Sequence, residues 1–309
     1  MAAELTAIQK TLLENIADLH EIPSGAYNIR SDGGMLGRNT TANIDIVTKT
    51  DKPGIDIIIK PGTKNQSVHI PVLITQTGLK EMVYNEFFIG EDCDVVIVAG
   101  CGIHNAGDEG SEHSGIHTFH VGKNSKVKYV EKHYGTGEGT GERVMNPSTE
   151  IYMEEGSHLE METIQIEGIN STDRRTYAKV EENASIVIKE KIMTHDNQVA
   201  VTDFKAELVG ENSSADIVSR SVAKNHSKQT FKSNIIGTSA CKGHSECDAI
   251  IMDQAIVEAI PELTAANIDA SLIHEAAIGK IAGEQLIKLM TLGLTEEEAE
   301  EQIINGFLK

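Results

Sequence analysis

Tryptophan is absent from the 309 residues, and aromatic side chains make up only 4% of them. A core so short of large flat rings must be filled by Ile, Val, Leu, Ala and Met, which suits thin, regular layers. Positive charge is also scarce: 27 Lys and Arg stand against 47 Asp and Glu, a formal net charge of −20. A field of that sign repels phosphate backbones and anionic lipid, so neither nucleic acid nor a membrane surface is an expected partner. No apolar run reaches the ~20 residues that a membrane-spanning helix needs. The opening MAAELTAIQKTLLENIADLH has early acidic residues and no continuous apolar stretch, so it is not an export signal. The expected compartment is the cytoplasm, where the four cysteines are thiols or metal ligands sooner than disulfides. Phosphate-binding glycine loops and a Gly-x-Ser-x-Gly elbow are missing too, so nucleotide binding and serine hydrolysis are not expected.

What is present divides into three parts. Leu5, Ile8, Leu12, Ile16 and Leu19 recur at helical spacing and predict one amphipathic helix over residues 1–22, ended by Pro23 and Gly25. From Ala42 the period becomes two. Ile55, Ile57 and Ile59 alternate with polar residues, and the same texture returns at Val95, Val127, Leu159, Ile186 and Ala215, separated by Gly, Asn, Asp and Ser. A turn residue followed by a small residue introduces successive strands: Asp92-Cys93, Asn124-Ser125, Gly156-Ser157, Asn183-Ala184 and Asn212-Ser213. The interval is about 30 residues, within the range of stacked repeats. Residues 23–256 are therefore expected to form a β-solenoid, a right-handed parallel β-helix, with a large β-sandwich as the alternative fold. From Pro261 a third pattern begins, and residues 257–309 are expected to be helical. Asp269-Ala270-Ser271 offers capping residues, helical spacing follows through Ile281, and Thr295-Glu296-Glu297-Glu298 is a capping box before a last helix. Such a piece, expected to hold three helices, has two compatible uses, capping the open end of the stack and docking a partner.

Three groups of residues carry candidate chemistry. Cys241-x2-His244-x2-Cys247 has the look of a metal motif, but on a strand Cys241 and Cys247 share one face with Gly243 and Ser245 while His244 points to the other. That disfavours a compact local site and leaves open a single cysteine joined by distant ligands or a pair of buried small hydrophobes. His274-Glu275 is expected at the first turn of a helix, where an exposed capping pair is the plainer alternative to a ligand pair. The stretch from Cys101 to His120 holds His104, His113, His117 and His120; its glycines predict a loop before a strand from Ile116, with His117 and His120 on opposite faces.

The Cys247-Asp248-Ala249-Ile250-Ile251 run, the later His274-Glu275-Ala276, and the tail GKIAGEQLIKLMTLGLTEEEAEEQIINGF closely resemble the SufB/SufD family of iron–sulfur cluster scaffold proteins. The likeness is dense over the last seventy residues or so and looser upstream, where it includes Ser219-Arg220-Ser221 and Ala99-Gly100-Cys101. The resemblance implies a right-handed parallel β-helix that assembles a nascent cluster, of 4Fe–4S type, at a dimer interface. A SufC-like ABC-type ATPase would dock on the carboxy-terminal helices, and sulfur donors and apo-protein acceptors would complete the partners. By position, Cys247 matches the scaffold cysteine, Glu275 the interface carboxylate and His274 the interface histidine. Cys101 matches an internal cysteine that receives sulfur and passes it along the β-helix, and Cys241 and His244 are secondary candidates. The chain lacks the long amino-terminal region of bacterial SufB and combines Cys247, His274 and Glu275, so a homodimer is expected, as in the compact systems of archaea and anaerobic bacteria. Such a protein is a scaffold and not itself an enzyme; a thiolate held with imidazole and carboxylate can also release its cargo more readily than four thiolates. The competing classes are a β-helix enzyme acting on polysaccharide, disfavoured by the missing tryptophan and export signal, and an inert structural or adaptor solenoid.

Overall fold

The computed structural model describes residues 5–309; the first four residues of the expected amino-terminal helix lie outside the described part. The chain is mainly strand, a β-solenoid of about eight turns with a short helix before it and two helices after it. Among the described residues twenty strands, numbered β1 to β20 in chain order, form two ten-stranded sheets, and through the body of the stack successive strands alternate between them. The first sheet is built around β5 (Lys64–Ile74), β7 (Asp94–His104), β9 (Lys126–Thr136), β12 (His158–Glu167), β14 (Ser185–Thr194), β16 (Ser214–Ala223), β18 (Lys242–Ile251) and β20 (Ser271–Gly279), all parallel neighbours. The second runs through β6 (Lys80–Ile89), β8 (Ser111–Val121), β13 (Ser171–Val180), β15 (Val199–Leu208), β17 (Lys228–Gly237) and β19 (Ile256–Ala265).

The turn-and-small-residue repeat is the corner that lets each rung stack on the last. Asp92, Asn124, Gly156, Asn183 and Asn212 all have positive φ, between 55° and 68°, the left-handed conformation that Asn, Asp and Gly tolerate best. The residue after each one turns inward and is buried: Cys93, Ser125, Ser157, Ala184 and Ser213. Only a small side chain fits there, and several use a hydroxyl to close the turn, as Ser157 and Ser213 do by donating to Glu154 O and Gly210 O at 2.6 Å. Cys241 continues this column, because its neighbour Lys242 stands in register with Ser214 and its carbonyl accepts from Ser271 N. Cys93 and Cys241 are thus corner residues in a column otherwise made of Ser, Ala and, at its start, Thr63. A second corner column, at Asp196, Asn225 and Asp253, again has positive φ and was not read from the sequence.

Helix α1 (Ala7–Ala17) starts at a Thr6–Gln9 capping box and buries Leu12, Leu13, Ile16 and Ala17 against the outer face of β7. It lies so close that a Cβ on Gly100 would sit 2.4 Å from Ile16 O, and one on Gly102 3.0 Å from Leu12 Cδ2. Those glycines therefore serve close approach and not flexibility. The loop expected from Cys101 onward is strand as far as His104, and the next strand begins at Ser111 rather than Ile116.

The carboxy-terminal boundary also differs from expectation. The solenoid runs to Gly279, and the helices are two: α2 (Gly283–Thr291) and α3 (Glu296–Phe307). His274 and Glu275 stand in mid-strand, not at a helix start. Nine residues of β20 pair in register with β18, and that ladder overrides the helical spacing and Ala content of Ile273–Ile281. Pro261 is accommodated because β19 is an edge strand, where a missing N–H goes unused. The Thr295–Glu298 capping box is formed as read. Ile304 and Leu308 pack beside Met193, Val222 and Ile250, so the helices lie against the side of the stack, and β19 and β20 end their sheets with no further strand among the described residues.

Candidate functional site

The residues singled out at the carboxy-terminal end divide between the two faces of one sheet. Cys247 on β18 points inward and is fully buried. It stands beside Ser219 on β16 and Ala276 on β20. His274 pairs with the inward-facing Ser245, so it shares the interior parity, and its Nδ1 is buried without a partner. Glu275 is opposite Glu246 and points outward. There His244 Nδ1 donates to Asp216 Oδ1 at 2.8 Å, with its Nε2 3.8 Å from Glu275 Oε2. One ligand atom each from His244, Glu246 and Glu275 lies within 4.8 Å of the others, close enough to share an ion. Within one chain, then, Cys247 and His274 belong to the interior and Glu275 and His244 to the exterior. The strand parity read for Cys241, His244 and Cys247 is the parity observed, and no local Cys-His-Cys knuckle forms.

Burial opposes ionisation of the Cys247 thiol, and the nearby carboxylates of Glu190 and Asp248 add to it, pushing its pKa up to about 12. Glu190 is buried, accepts from Ser219 Oγ at 2.7 Å and from Thr202 Oγ1 at 3.3 Å, and leaves Oε1 unpartnered. Desolvation raises its pKa against the pull of Arg174. A small cavity lies here between the sheets, lined by Glu190, Thr202, Ser219, Ser221 and Gln229 among others. Gln229 Oε1 is unpartnered as well, which makes the cavity a fit place for water or a small polar species.

A file of polar side chains leads from this cavity back into the stack. In register, Cys247 stands beside Ser219, Ser219 beside Glu190, Glu190 beside Thr163 and Thr163 beside Glu131. Glu131 forms a buried ion pair with Arg174 of the opposite sheet. Burial would raise the Glu131 carboxyl, but Arg174 and His133 hold it well below the usual carboxylate range. His133, two residues on, has Nδ1 3.3 Å from both Gln165 Oε1 and Arg174 Nη2, and stands beside Cys101.

Cys101 is 6% exposed and faces the same interior as Cys247, five strand spacings away, about 24 Å at ~4.8 Å per strand. Its surroundings are imidazoles. Burial disfavours its thiolate, yet the charge and hydrogen bond of His113, reinforced by His133, bring its pKa down to about 7. Burial works against a charged His113 as well; Cys101 and Glu81, whose Oε1 is 3.1 Å from His113 Nδ1, outweigh it and raise the imidazole to about 10. His117, buried against Tyr129, is by contrast pushed down to about 4. His113, expected in a loop, and His117 are interior strand residues; His120 is on the outer face, opposite His117 as expected, stacked between Phe88 and Tyr152. Glu131, Arg174 and Glu190 were not singled out in the sequence. The signal was there: each has the same parity as the buried Tyr129, Thr176 or Ile188 of its own strand, and a charge at an inward position is a functional candidate by its expense.

Similarity to known proteins follows the same outline. The family described as "SUF system FeS cluster assembly, SufBD core domain" matches residues 174–307. An iron-sulfur cluster assembly SufBD family protein of Archaeoglobus fulgidus is 34% identical over 264 residues, covering 84% of this chain and 69% of that protein. Proteins described in the same words from Methanocaldococcus jannaschii and Pyrococcus horikoshii are 29% and 28% identical, covering 82% and 91% of this chain and 79% and 86% of theirs.

Proposed function

The chain belongs to the SufBD family of iron–sulfur cluster assembly proteins, and from that premise we propose that it is a homodimeric scaffold on which a nascent cluster, of 4Fe–4S type, is built and handed on. The observation that carries this reading is the position of Cys247, on the last fully buried interior rung, one strand from an open end. Beyond it, β19 and β20 present unpaired edges with exposed Ile256, Ile260, Leu263, Ile273 and Ile278. An apolar, unpaired edge of this kind favours a second copy. Two-fold pairing repeats Cys247, His274 and Glu275 about the axis, so three residues per chain supply a complete donor set. The donor set suits iron and sulfide: a thiol, an imidazole whose buried Nδ1 lacks a partner, and an exposed carboxylate. The cluster is cargo here, and the chain's contribution is to hold Cys247 protonated until iron displaces the proton.

Sulfur enters at Cys101 and passes along the polar file to Cys247. An ABC-type ATPase docks on the carboxy-terminal helices, where Ile287 of α2 is 63% and Leu292, which caps it, 76% exposed, and its movements open and close the dimer end. The ATPase hydrolyses the nucleotide; this chain carries no catalytic residue of its own. Sulfur donors and apo-protein acceptors are the remaining partners, and the cytoplasm is the setting. No helix among the described residues is long and apolar enough to cross a membrane, and all four cysteines are free. Anaerobic reconstitution with iron and sulfide tests the reading. The expected result is a visible cluster absorption that largely disappears in Cys247→Ala; an unchanged spectrum in that variant overturns it.

A further inference from the structure

Strand β8 carries two inward-facing histidines with a glycine between them: His113, Gly115 and His117 share one parity and are all buried. Both rings lean toward the glycine. A Cβ on Gly115 would lie 3.0 Å from His117 Nε2 and 3.6 Å from His113 Nε2, so the two nitrogens flank the space that a side chain would fill. The other nitrogen of each ring is engaged. His113 Nδ1 donates to Glu81 Oε1 at 3.1 Å, and His117 Nδ1 donates to Tyr129 Oη at 2.8 Å. With Nδ1 donating, the neutral form of each ring turns the Nε2 lone pair into that space.

The neighbouring strands add to the same place. On β6, Glu81 stands beside His113, Val83 beside Gly115 and Asn85 beside His117. On the other side Thr149 stands beside His117. His113 Nε2, Asn85 Oδ1 and Thr149 Oγ1 are buried with no hydrogen-bond partner among the described residues, and Asn85 Nδ2 reaches His117 Nε2 only at 3.5 Å. Native interiors satisfy nearly all such groups, so three unmet polar atoms around one glycine call for a ligand. What they offer is lone pairs: imidazole nitrogen, amide oxygen and hydroxyl oxygen.

We propose that the space at Gly115 binds a divalent transition-metal ion of the zinc or ferrous class, with His113 and His117 as ligands through Nε2, Asn85 as an oxygen ligand, and Glu81 and Tyr129 orienting the two imidazoles. Mixed nitrogen and oxygen donors suit ions of that class. An ion centred there draws each Nε2 in to about 2.1 Å, a closure of about 1–1.5 Å that no side chain at Gly115 obstructs. The electrostatics favour a cation. Burial pushes His117 down to about 4, so it offers a neutral ring. Burial opposes charge on His113 as well, but Cys101 and Glu81 outweigh it; a metal ion in place of that proton keeps the positive charge these neighbours favour. The ion is a resident of the first half of the solenoid, separate from the cluster cargo, and nothing in its site depends on the scaffold reading.

Metal counting tests this. Protein stripped with a chelator is incubated anaerobically with Zn²⁺ in one arm and Fe²⁺ in the other, desalted, and its bound metal measured by plasma mass spectrometry. The wild type is expected to hold about one ion more per chain than His117→Gln or Gly115→Ala. Gly115→Ala keeps every ligand and only fills the space, and it covers the case in which His117→Gln does not fold. The outer-face group of His244, Glu246 and Glu275 is present in all three chains and cancels from the difference. The arm with the larger difference identifies the metal. Crystals grown with Co²⁺ and measured at the cobalt edge are expected to show an anomalous peak between His113 and His117. Equal counts in the three chains, or ordered water at Gly115 with no anomalous signal, overturns the proposal.

Discussion

Cys101 and Cys247 lie on the same sheet, face the same interior and are both buried, yet the protein holds them in opposite states. Around Cys101 the neighbours are imidazoles, and the thiol is lowered to about 7. Around Cys247 they are carboxylates, and the thiol is raised to about 12. Burial raises both; the sign of the adjacent charge decides the outcome. The contrast gives one interior two thiols of different chemistry, one lowered toward ionisation and one held protonated. Between them stands the Glu131–Arg174 pair, which keeps a negative charge next to the first thiol from being raised out of its ionised form.

The comparison can be broken in several places. The largest expected effect is on the cargo: Cys247→Ala removes most of the reconstituted cluster absorption, while Cys101→Ser with free sulfide supplied leaves it largely in place, read in parallel by visible spectroscopy. Next is the middle of the file. Arg174→Met strands a buried carboxylate and is expected to lower stability by about 3–5 kcal/mol, read by urea denaturation. Adding Glu131→Leu to it should restore much of the loss, because the unpaired charge goes with it. The same pair sets a pH limit. The folded-state pKa of Glu131 is depressed, so its contribution is complete above the ordinary carboxylate value and is lost as pH falls below it toward the folded value. Wild-type melting temperature should therefore drop through that acidic range more steeply than that of the double variant. At the open end, Ile273→Lys on β20 changes a side chain that is 53% exposed. It is expected to leave the fold intact and to shift the proposed homodimer to monomer, read by light scattering. The smallest effect is at Glu190→Gln, which removes one of the carboxylates acting on Cys247. The Cys247 thiol is then expected to ionise at lower pH than in the wild type, read as alkaline thiolate absorbance or alkylation rate.

Much of the scaffold was legible because a solenoid repeats its local rules. The turn-and-small-residue dipeptides work from short-range sterics, a left-handed backbone followed by an inward position with room for Ser, Ala or Cys, and such rules show in any one copy. Strand parity at Cys241, His244 and Cys247 was legible for the same reason. The strand at His274 and Glu275 was not, since its helix-like spacing is overridden by nine backbone pairs with β18 that no local pattern announces. The glycines beside Cys101 misled in a similar way: they are small to admit α1, whose contact with them spans more than eighty residues of sequence.

The residues by themselves determined a thin, aromatic-poor, acidic stack of rungs, the face on which each side chain of a strand would stand, and the family likeness of its last seventy or so residues. Tertiary structure alone decided which inward-facing residues meet. It paired His113 with Glu81, joined Glu131 to Arg174 across the interior, placed Glu190 two rungs from Cys247, and left Glu275 on the opposite face from the cysteine it had been grouped with. The physical reason is that parity is fixed by the two-residue period of a strand, whereas the partner across the core is fixed by how successive rungs register, and register depends on the whole chain.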